Sequence, residues 1–281
     1  MVYDPVIVES YFDKYGEKEW ERLAETIQGR TKYRIHSWFI EKYLPKRALR
    51  ILDAGCGPGR FSLDLARTSA NLTLADISHK QLALAEHHLE KAGLLEKVRE
   101  IIRLDITDMH EFEDEAFDAV VCYGSTLSYT YDQYEQALKE LMRVLKPGGI
   151  LLISVSSLFG TLRLVGPLDA NYFLEDPDDH LDWTSVLSGG KVVLTKPGSN
   201  EFHLPLALFS SEGLRDLLEK SGLKVKGMAA ANPLVPQGAK TPNIEDSLEA
   251  CEALSELELT ACSSPGLLDS GEHLLAAAVK S

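Results

Sequence analysis

The sequence lacks the features that mark zinc-binding, secreted and membrane-spanning proteins. It has four cysteines in 281 residues, and no two of them form the Cys-x-x-Cys pair that is typical of zinc sites. No apolar run reaches the roughly 18 residues that a membrane helix needs. No basic segment followed by an apolar stretch stands at the start, as a signal peptide would require. We therefore expect reduced thiols, no bound metal, no membrane span and a location in the cytoplasm.

Positive charge is also scarce. The chain has 29 lysines and arginines against 43 acidic residues, a formal net charge of −14. Half of that excess falls in residues 241–281, which contain eight acidic residues and one lysine. A chain of this charge repels phosphate backbones, so the composition argues against a nucleic-acid partner. We expect a small-molecule substrate, and the sequence does not indicate an oligomeric state.

What is present is a regular alternation of short apolar runs and amphipathic segments. The spacing predicts helices over 61–70, 81–92, 134–145 and 211–221. It predicts strands over 49–53, 72–76, 98–104, 117–122, 150–155, 223–229 and 273–279. Strands that alternate with helices form a mainly parallel sheet covered on both faces, and right-handed crossovers make it doubly wound. The sequence therefore predicts an α/β, Rossmann-like fold.

The alternation divides a single domain, 1–281, into four parts. Residues 1–45 are predicted to be helical, 46–156 form a core, 157–208 interrupt it, and 209–281 complete it around an acidic helix near 245–259. The interruption contains a predicted hairpin of 191–194 with 201–204. In doubly wound folds ligands bind at the carboxyl ends of the strands. We expect the N-terminal helices to act as a lid there and 157–208 to act as a substrate cap.

A glycine-rich loop gives the clearest functional signal. Residues 53–59 read Asp-Ala-Gly-Cys-Gly-Pro-Gly between a predicted strand and a predicted helix. Glycines there allow a tight turn and a close approach of the backbone to a ligand, and the helix start favours an anionic group. Arg60 stands where the dinucleotide pattern G-x-G-x-x-G has its third glycine, and the P-loop pattern is absent. Asp76 closes the second strand, where a carboxylate can accept hydrogen bonds from both ribose hydroxyls.

The loop at 53–59, the acidic residues Asp76 and Asp105 and the turn Leu-Lys-Pro-Gly-Gly at 145–149 resemble the motifs of class I S-adenosylmethionine-dependent methyltransferases. The likeness covers 50–156 best and is similar to the branch of ubiquinone and menaquinone biosynthesis methyltransferases. It implies S-adenosylmethionine as cofactor and S-adenosylhomocysteine as product. It also implies a seven-stranded, mostly parallel sheet whose last strand is antiparallel.

The resemblance also implies roles for particular positions. Asp105 would read the adenine amino group while Ile106 packs on the ring, and backbone groups after the fourth strand would face the methionine part. An aromatic residue of the first helix, Tyr11 or Tyr15, would cover the cofactor, and Arg30 would pair with its carboxylate. The expected cofactor-binding residues are Asp53, Gly55, Cys56, Gly57, Gly59, Asp76, Ile77, Asp105, Ile106, Cys122, Tyr123, Tyr11 and Arg30.

Methyl transfer is an in-line displacement, which requires a positioned nucleophile, exclusion of water and, for a protonated nucleophile, a base. The candidate bases are His180 and His203 in the cap, followed by Tyr123 and Tyr129. The acidic run 176–182 fits a solvated loop, a divalent-metal site or recognition of a cationic substrate. Tyr123 stands where catechol-type enzymes place a metal-binding carboxylate, so we expect no metal.

Three hypotheses follow for the function. The leading one is transfer of a methyl group from S-adenosylmethionine to an O, N, C or S nucleophile of a small molecule. The second is a non-catalytic cofactor-binding subunit or sensor, in which the loop is intact but the pocket offers no base. The third is an NAD-dependent oxidoreductase, against which the position of the third glycine counts.

Overall fold

A computed structural model describes residues 2–68, 71–165, 183–192, 204–235, 244 and 247–281. The predicted bases His180 and His203 and the acidic run 176–182 lie outside these residues.

The centre of the molecule is a seven-stranded sheet with the order β3-β2-β1-β4-β5-β9-β8. Within it, β9 runs antiparallel to both of its neighbours, β5 and β8, and the other adjacent pairs are parallel. A separate antiparallel pair consists of β6 and β7. The predicted fold class is confirmed. The strands are β1 (Ile51–Ala54), β2 (Leu72–Asp76), β3 (Val98–Arg103), β4 (Phe117–Cys122), β5 (Leu145–Ser156), β6 (Lys191–Val192), β7 (Leu206–Ala207), β8 (Leu223–Ala231) and β9 (His273–Lys280).

Helices cover both faces of the sheet. Several helices are preceded by a residue whose side chain accepts a hydrogen bond from a backbone N–H of the first turn. This bond satisfies a donor that has no partner within the helix. The capping residues are Asp4, Thr26, Ser78, Ser210 and Ser247. The described helices are α1 (Pro5–Tyr15), α2 (Lys18–Glu21), α3 (Ile27–Tyr43), α4 (Ser62–Thr68), α5 (His79–Lys91), α6 (Thr126–Tyr129), α7 (Tyr134–Val144), α8 (Leu158–Val165), α9 (Trp183–Gly189), α10 (Ser211–Lys220) and α11 (Leu248–Ala261).

Two apolar clusters fill the space between the sheet and its helices. One lies against α7 and α10, and the other lies against α3, α4 and α5. The helix α3 is therefore part of the core: its Ile35 and Phe39 are fully buried. This corrects the predicted lid of 1–45 for α3, whereas the described segment before α3 contributes no residue to either cluster.

The predicted hairpin in the cap is wrong in its second strand. Lys191 and Val192 pair with Ala207 and Leu206, whereas the prediction placed the partner strand at 201–204. Burial accounts for the pairing, since Val192 packs with Leu158 and neighbouring apolar side chains in a small separate cluster. Other boundaries shift by a few residues: β5 begins at Leu145 and the acidic helix is α11.

All four cysteines are buried and free. Within the described ranges, no helix combines the length and the apolar character that crossing a bilayer requires.

Candidate active site

A cavity lies at the carboxyl ends of β1 to β4 and is called here the first cavity. The loops that follow these strands form one side, and the N-terminal segment forms the other. The predicted cofactor residues that line it are Gly55, Cys56, Gly57, Asp76, Ile77, Asp105, Ile106 and Tyr123. Lining residues that the sequence analysis did not single out include Tyr3, Phe12, Glu19, Arg22 and Thr126.

The glycine loop bounds the cavity with backbone atoms. The N–H groups of Gly55 and Cys56 both donate to the carbonyl of Ala75, at 2.8 and 3.0 Å, which ties the loop to the end of β2. A Cβ on Gly55 would overlap the side chain of Thr126, whereas a Cβ on Gly57 would have the Glu19 side chain, 3.9 Å away, as its nearest neighbour. Glycine at 55 thus permits close packing, and glycine at 57 leaves room for a ligand.

Asp76 presents a fixed carboxylate to the cavity. Its Oδ2 accepts from the Gly57 N–H at 2.8 Å and its Oδ1 accepts from the Ser78 N–H at 2.9 Å. Burial raises the pKa of Asp76 to about 6, and these two hydrogen bonds oppose the rise. A carboxylate has about four lone-pair positions, so each oxygen can accept a further hydrogen bond from a ligand hydroxyl.

The next loop supplies an acidic group beside an apolar surface. Asp105 Oδ1 accepts from the Thr107 N–H, and its Oδ2 accepts from the phenol of Tyr3, each at 2.9 Å. The side chains of Leu104 and Ile106 are buried beside it. The aromatic residue that closes this end is therefore Tyr3, which lies before α1 and carried no recognisable motif.

A paired arginine and glutamate occupy the opposite end. Arg22 Nε donates to Glu19 Oε2 at 2.7 Å and its Nη2 donates to Oε1, a bidentate contact. Burial would lower the pKa of Arg22, but Glu19 outweighs it and the pKa is raised. Arg30, the predicted carboxylate partner, is exposed and donates to the carbonyls of Ala24 and Glu25. Arg30 therefore lines neither the first cavity nor the second cavity that adjoins it, whereas Arg22 lines both.

Three predicted cofactor residues lie behind the cavity wall. The buried carboxylate of Asp53 accepts from Ser62 Oγ at 2.6 Å, and burial raises its pKa to about 7. Gly59 packs against Ala85 of α5. Cys122 is fully buried, and burial raises the pKa of its thiol to about 12. They support the loop rather than line the cavity.

A second cavity adjoins the first. The two share lining residues Phe12, Glu19, Arg22, Gly124 and Tyr129. The predicted residue Tyr11 lies here and not in the first cavity. The other lining residues are Tyr15, Lys32, Ser156, Gly160, Thr161, Leu206, Glu272 and His273.

Tyr123 is badly suited to the predicted role of base. Its side chain is buried in ring contacts with His36 and Phe61, and in the described part of the chain its phenol oxygen has no hydrogen-bond partner. Burial raises the pKa of this phenol well above its ordinary value, so it stays protonated near neutral pH. Over the described residues, no three His, Cys, Asp or Glu side chains are placed to share a metal ion.

Comparison with known proteins agrees with this arrangement. The methyltransferase-domain family matches residues 52–153. A putative methyltransferase of Bacillus subtilis is 34% identical over 165 residues, covering 58% of this chain and 64% of that protein. The ubiquinone biosynthesis O-methyltransferase of Dechloromonas aromatica is 28% identical over 166 residues, covering 58% of this chain and 69% of that protein.

Solved structures show the same fold. The crystal structure of magnesium protoporphyrin IX methyltransferase from Synechocystis, with bound S-adenosylhomocysteine, gives a TM-score of 0.60 at 16% identity, covering 99% of this chain and 100% of that one. The chain spans less than two thirds of the length of the Bacillus relative and 47% of a relative from Geobacillus. Residues 52–153 thus match the methyltransferase-domain family, and the chain is similar to class I S-adenosylmethionine-dependent methyltransferases.

Proposed function

We propose that the chain transfers a methyl group from S-adenosylmethionine to a small molecule, with the cofactor in the first cavity and the acceptor in the second. The observation that carries the proposal is the junction between them. A cavity lined by the glycine loop and by the carboxylate of Asp76 adjoins a second cavity, and residues such as Gly124 and Tyr129 line both. An enzyme that joins two ligands needs such an arrangement.

The lining residues of the first cavity fit the cofactor. Asp76 would accept the ribose hydroxyls, and Asp105 with Ile106 would receive the adenine. The pair of Glu19 and Arg22 matches the ammonium and carboxylate of the methionine part, one group of opposite charge for each. When bound, the cofactor supplies a methyl group activated by its sulfonium sulfur.

The segment before α3 would exclude water from the reacting atoms. Tyr3, Val8 and Phe12 of this segment all line the first cavity. Polar contacts hold the segment against the core, including Arg103 with Glu9 at 2.6 Å and Gln81 with the carbonyl of Phe12 at 3.0 Å. A closed, mostly apolar wall strengthens the electrostatic contacts made inside it.

Titration calorimetry with S-adenosylmethionine, S-adenosylhomocysteine and NAD tests the cofactor. We expect the first two to bind and NAD not to bind. Asp76→Asn should weaken S-adenosylhomocysteine binding by about 1–3 kcal/mol through loss of a charge-assisted partner. The exposed Asp216→Asn in α10 is the matched control and should bind normally. Binding of NAD alone would contradict the proposal and favour the hypothesis of an NAD-dependent oxidoreductase.

Methyl transfer separates an enzyme from a cofactor-binding sensor. The full chain is incubated with S-adenosylmethionine and a mixture of small phenols, amines, thiols and carboxylates, and S-adenosylhomocysteine is measured. We expect its release above the level without acceptors. Binding of the cofactor with no transfer to any class of nucleophile would favour the sensor.

A further inference from the structure

The second cavity has two unlike walls. One is aromatic: the rings of Tyr11 and Tyr15 stack with centroids 5.9 Å apart, and Phe12 meets Tyr129 edge to face at 5.1 Å. The other wall is polar and includes Lys32, Glu272 and His273 from α3 and the start of β9. An aromatic wall of this kind suits a flat, unsaturated ligand.

The charges of this cavity are paired within its wall. Lys32 Nζ forms an ion pair with Glu272, and both side chains are less than a tenth exposed. Arg22 and Glu19 also line this cavity, but they are the pair proposed above to bind the methionine part of the cofactor. Among the described lining residues, the cation left for the acceptor is Lys32, which has an anion beside it, and a charged acceptor would lose hydration without gaining an uncompensated partner. The lining favours an acceptor with an uncharged body.

His273 lies near the junction of the two cavities. Its Nε2 is 3.3 Å from Ser125 Oγ, and Ser125 follows Gly124, which both cavities share. Burial, together with Lys32, His36 and Arg22, lowers the pKa of His273 well below its ordinary value. The ring is therefore neutral near pH 7 and has one nitrogen that can accept a hydrogen bond.

We propose that the acceptor is a flat, uncharged molecule with a phenolic or enolic hydroxyl, and that His273 takes the hydroxyl proton. This rests on the proposed methyl transfer. The acceptor oxygen bonds to the methyl carbon, the carbon–sulfur bond breaks with its electron pair kept by sulfur, and the proton passes to Nε2 of His273. An imidazole held neutral by its surroundings is a weak base, so it matches an acidic hydroxyl better than an aliphatic alcohol.

The test uses the full chain, S-adenosylmethionine and two probe acceptors, 4-methoxyphenol and 4-nitrophenol. Near pH 8 the first keeps its hydroxyl proton and the second is ionised, so only the first needs a base. His273→Asn should lower kcat/KM at least about 100-fold for 4-methoxyphenol and less than about 10-fold for 4-nitrophenol. The matched control, His87→Asn, changes an exposed histidine of α5 and should leave both values unchanged.

A second variant distinguishes loss of the base from a folding defect in His273→Asn. Ser125→Ala removes the hydroxyl beside the His273 ring and should give a smaller loss with the same difference between the two phenols. Normal S-adenosylhomocysteine binding by each variant shows that the cofactor site is intact. An equal loss with both phenols would make His273 structural and overturn its role. Transfer to amines or thiols but to neither phenol would overturn the acceptor class while leaving methyl transfer in place.

Discussion

At the scale of single residues, three glycines share a left-handed backbone but have different surroundings. Gly55, Gly57 and Gly148 have φ of +76°, +53° and +72°. An added Cβ meets Thr126 at Gly55, the cavity at Gly57 and open space at Gly148. We expect Gly148→Ala to cost about 1–2 kcal/mol of unfolding free energy, the cost of the backbone conformation alone. Gly55→Ala should cost about 1–3 kcal/mol more through overpacking.

Gly57→Ala should resemble Gly148→Ala in stability and differ from it in binding. Denaturant unfolding gives the free energies, and titration with S-adenosylhomocysteine gives the affinities. We expect a large loss of affinity for Gly57→Ala and none for Gly148→Ala. If Gly57→Ala binds normally, the loop does not approach the cofactor closely, and the first cavity has been assigned to the wrong ligand.

The buried carboxyl of Asp53 predicts an unusual dependence of stability on pH. Burial raises its pKa from 3.8 to about 7, and Asp76 adds to the rise while Ser62 opposes it. Between these two pH values the folded state holds a proton that the unfolded state has lost. The contribution of Asp53 to stability is therefore present below pH 4 and is lost as pH rises through 7. Over that range the loss is roughly 4 kcal/mol at about 1.36 kcal/mol per pKa unit.

Asp53→Asn isolates this contribution from other groups that titrate over the same range. The difference in unfolding free energy between wild type and variant should fall as pH rises from 4 to 8, in the absence of cofactor. Asp216→Asn, exposed on α10, should show no such trend. A constant difference between wild type and Asp53→Asn would mean that the carboxylate is already ionised in the folded protein.

The local sequence identifies the residues whose positions are determined by the motif of the glycine loop. Gly55, Gly57 and Asp76 line the first cavity as expected because strand ends and glycine turns fix their positions. Arg22 and His273 line the cavities without any sequence pattern that marks them, because their places depend on the packing of α2 and of the last strand. A sequence offers no spacing rule for such contacts, and Arg30, which the family resemblance indicates, lines neither of the two cavities.

At the scale of elements, one buried side chain makes two of the contacts that hold α1 against the core. Gln81 Nε2 donates to the carbonyls of Phe12 and Gly16 at the end of α1, at 3.0 and 3.1 Å. Gln81→Leu would leave these carbonyls without this donor, at a cost of about 1–3 kcal/mol. We expect faster amide hydrogen exchange in α1 and weaker S-adenosylhomocysteine binding, with little change in the global unfolding free energy.

Gln136→Leu is the matched control for this effect. Gln136 is an exposed residue of α7 that also donates to a backbone carbonyl, that of Thr107. It should leave α1 exchange and binding unchanged. Unaltered exchange in α1 of Gln81→Leu would show that the remaining contacts, such as Arg103 with Glu9 and Ser78 with Asp13, are sufficient to hold the helix.

Elements were predicted well where burial is complete and less well where it is partial. The central strands β2 and β4 match their predicted bounds because parallel strands buried on both faces form continuous apolar runs. The start of β5 was missed, since Pro147 and two glycines there are typical of a turn. The predicted position of the strand that pairs with β6 is wrong. The pairing register of two such short strands is determined by burial in the tertiary structure and not by their own sequence.

At the scale of the whole molecule, the alternation of elements indicated a doubly wound sheet but not its strand order. The position of β9 beside β5 pairs residues more than 100 positions apart in the chain, such as Ile150 with Val279. Nothing in the periodicity of 273–280 specifies those partners. The antiparallel last strand was expected from family resemblance alone, and the structure confirms it.

That position predicts that the sheet cannot be completed without its last strand. Residues 273–280 pair along almost their whole length with both β5 and β8, and Leu274 to Ala278 are fully buried. Deleting 273–281 would expose the edges of two apolar strands and remove side chains from both core clusters. We expect a chain that aggregates and does not bind S-adenosylhomocysteine, whereas deletion of the exposed Ser281 alone should change neither property. A shortened chain that stays monomeric and binds the cofactor normally would show that β1 to β5 fold independently, and the cooperative unit would then be smaller than the seven-stranded sheet.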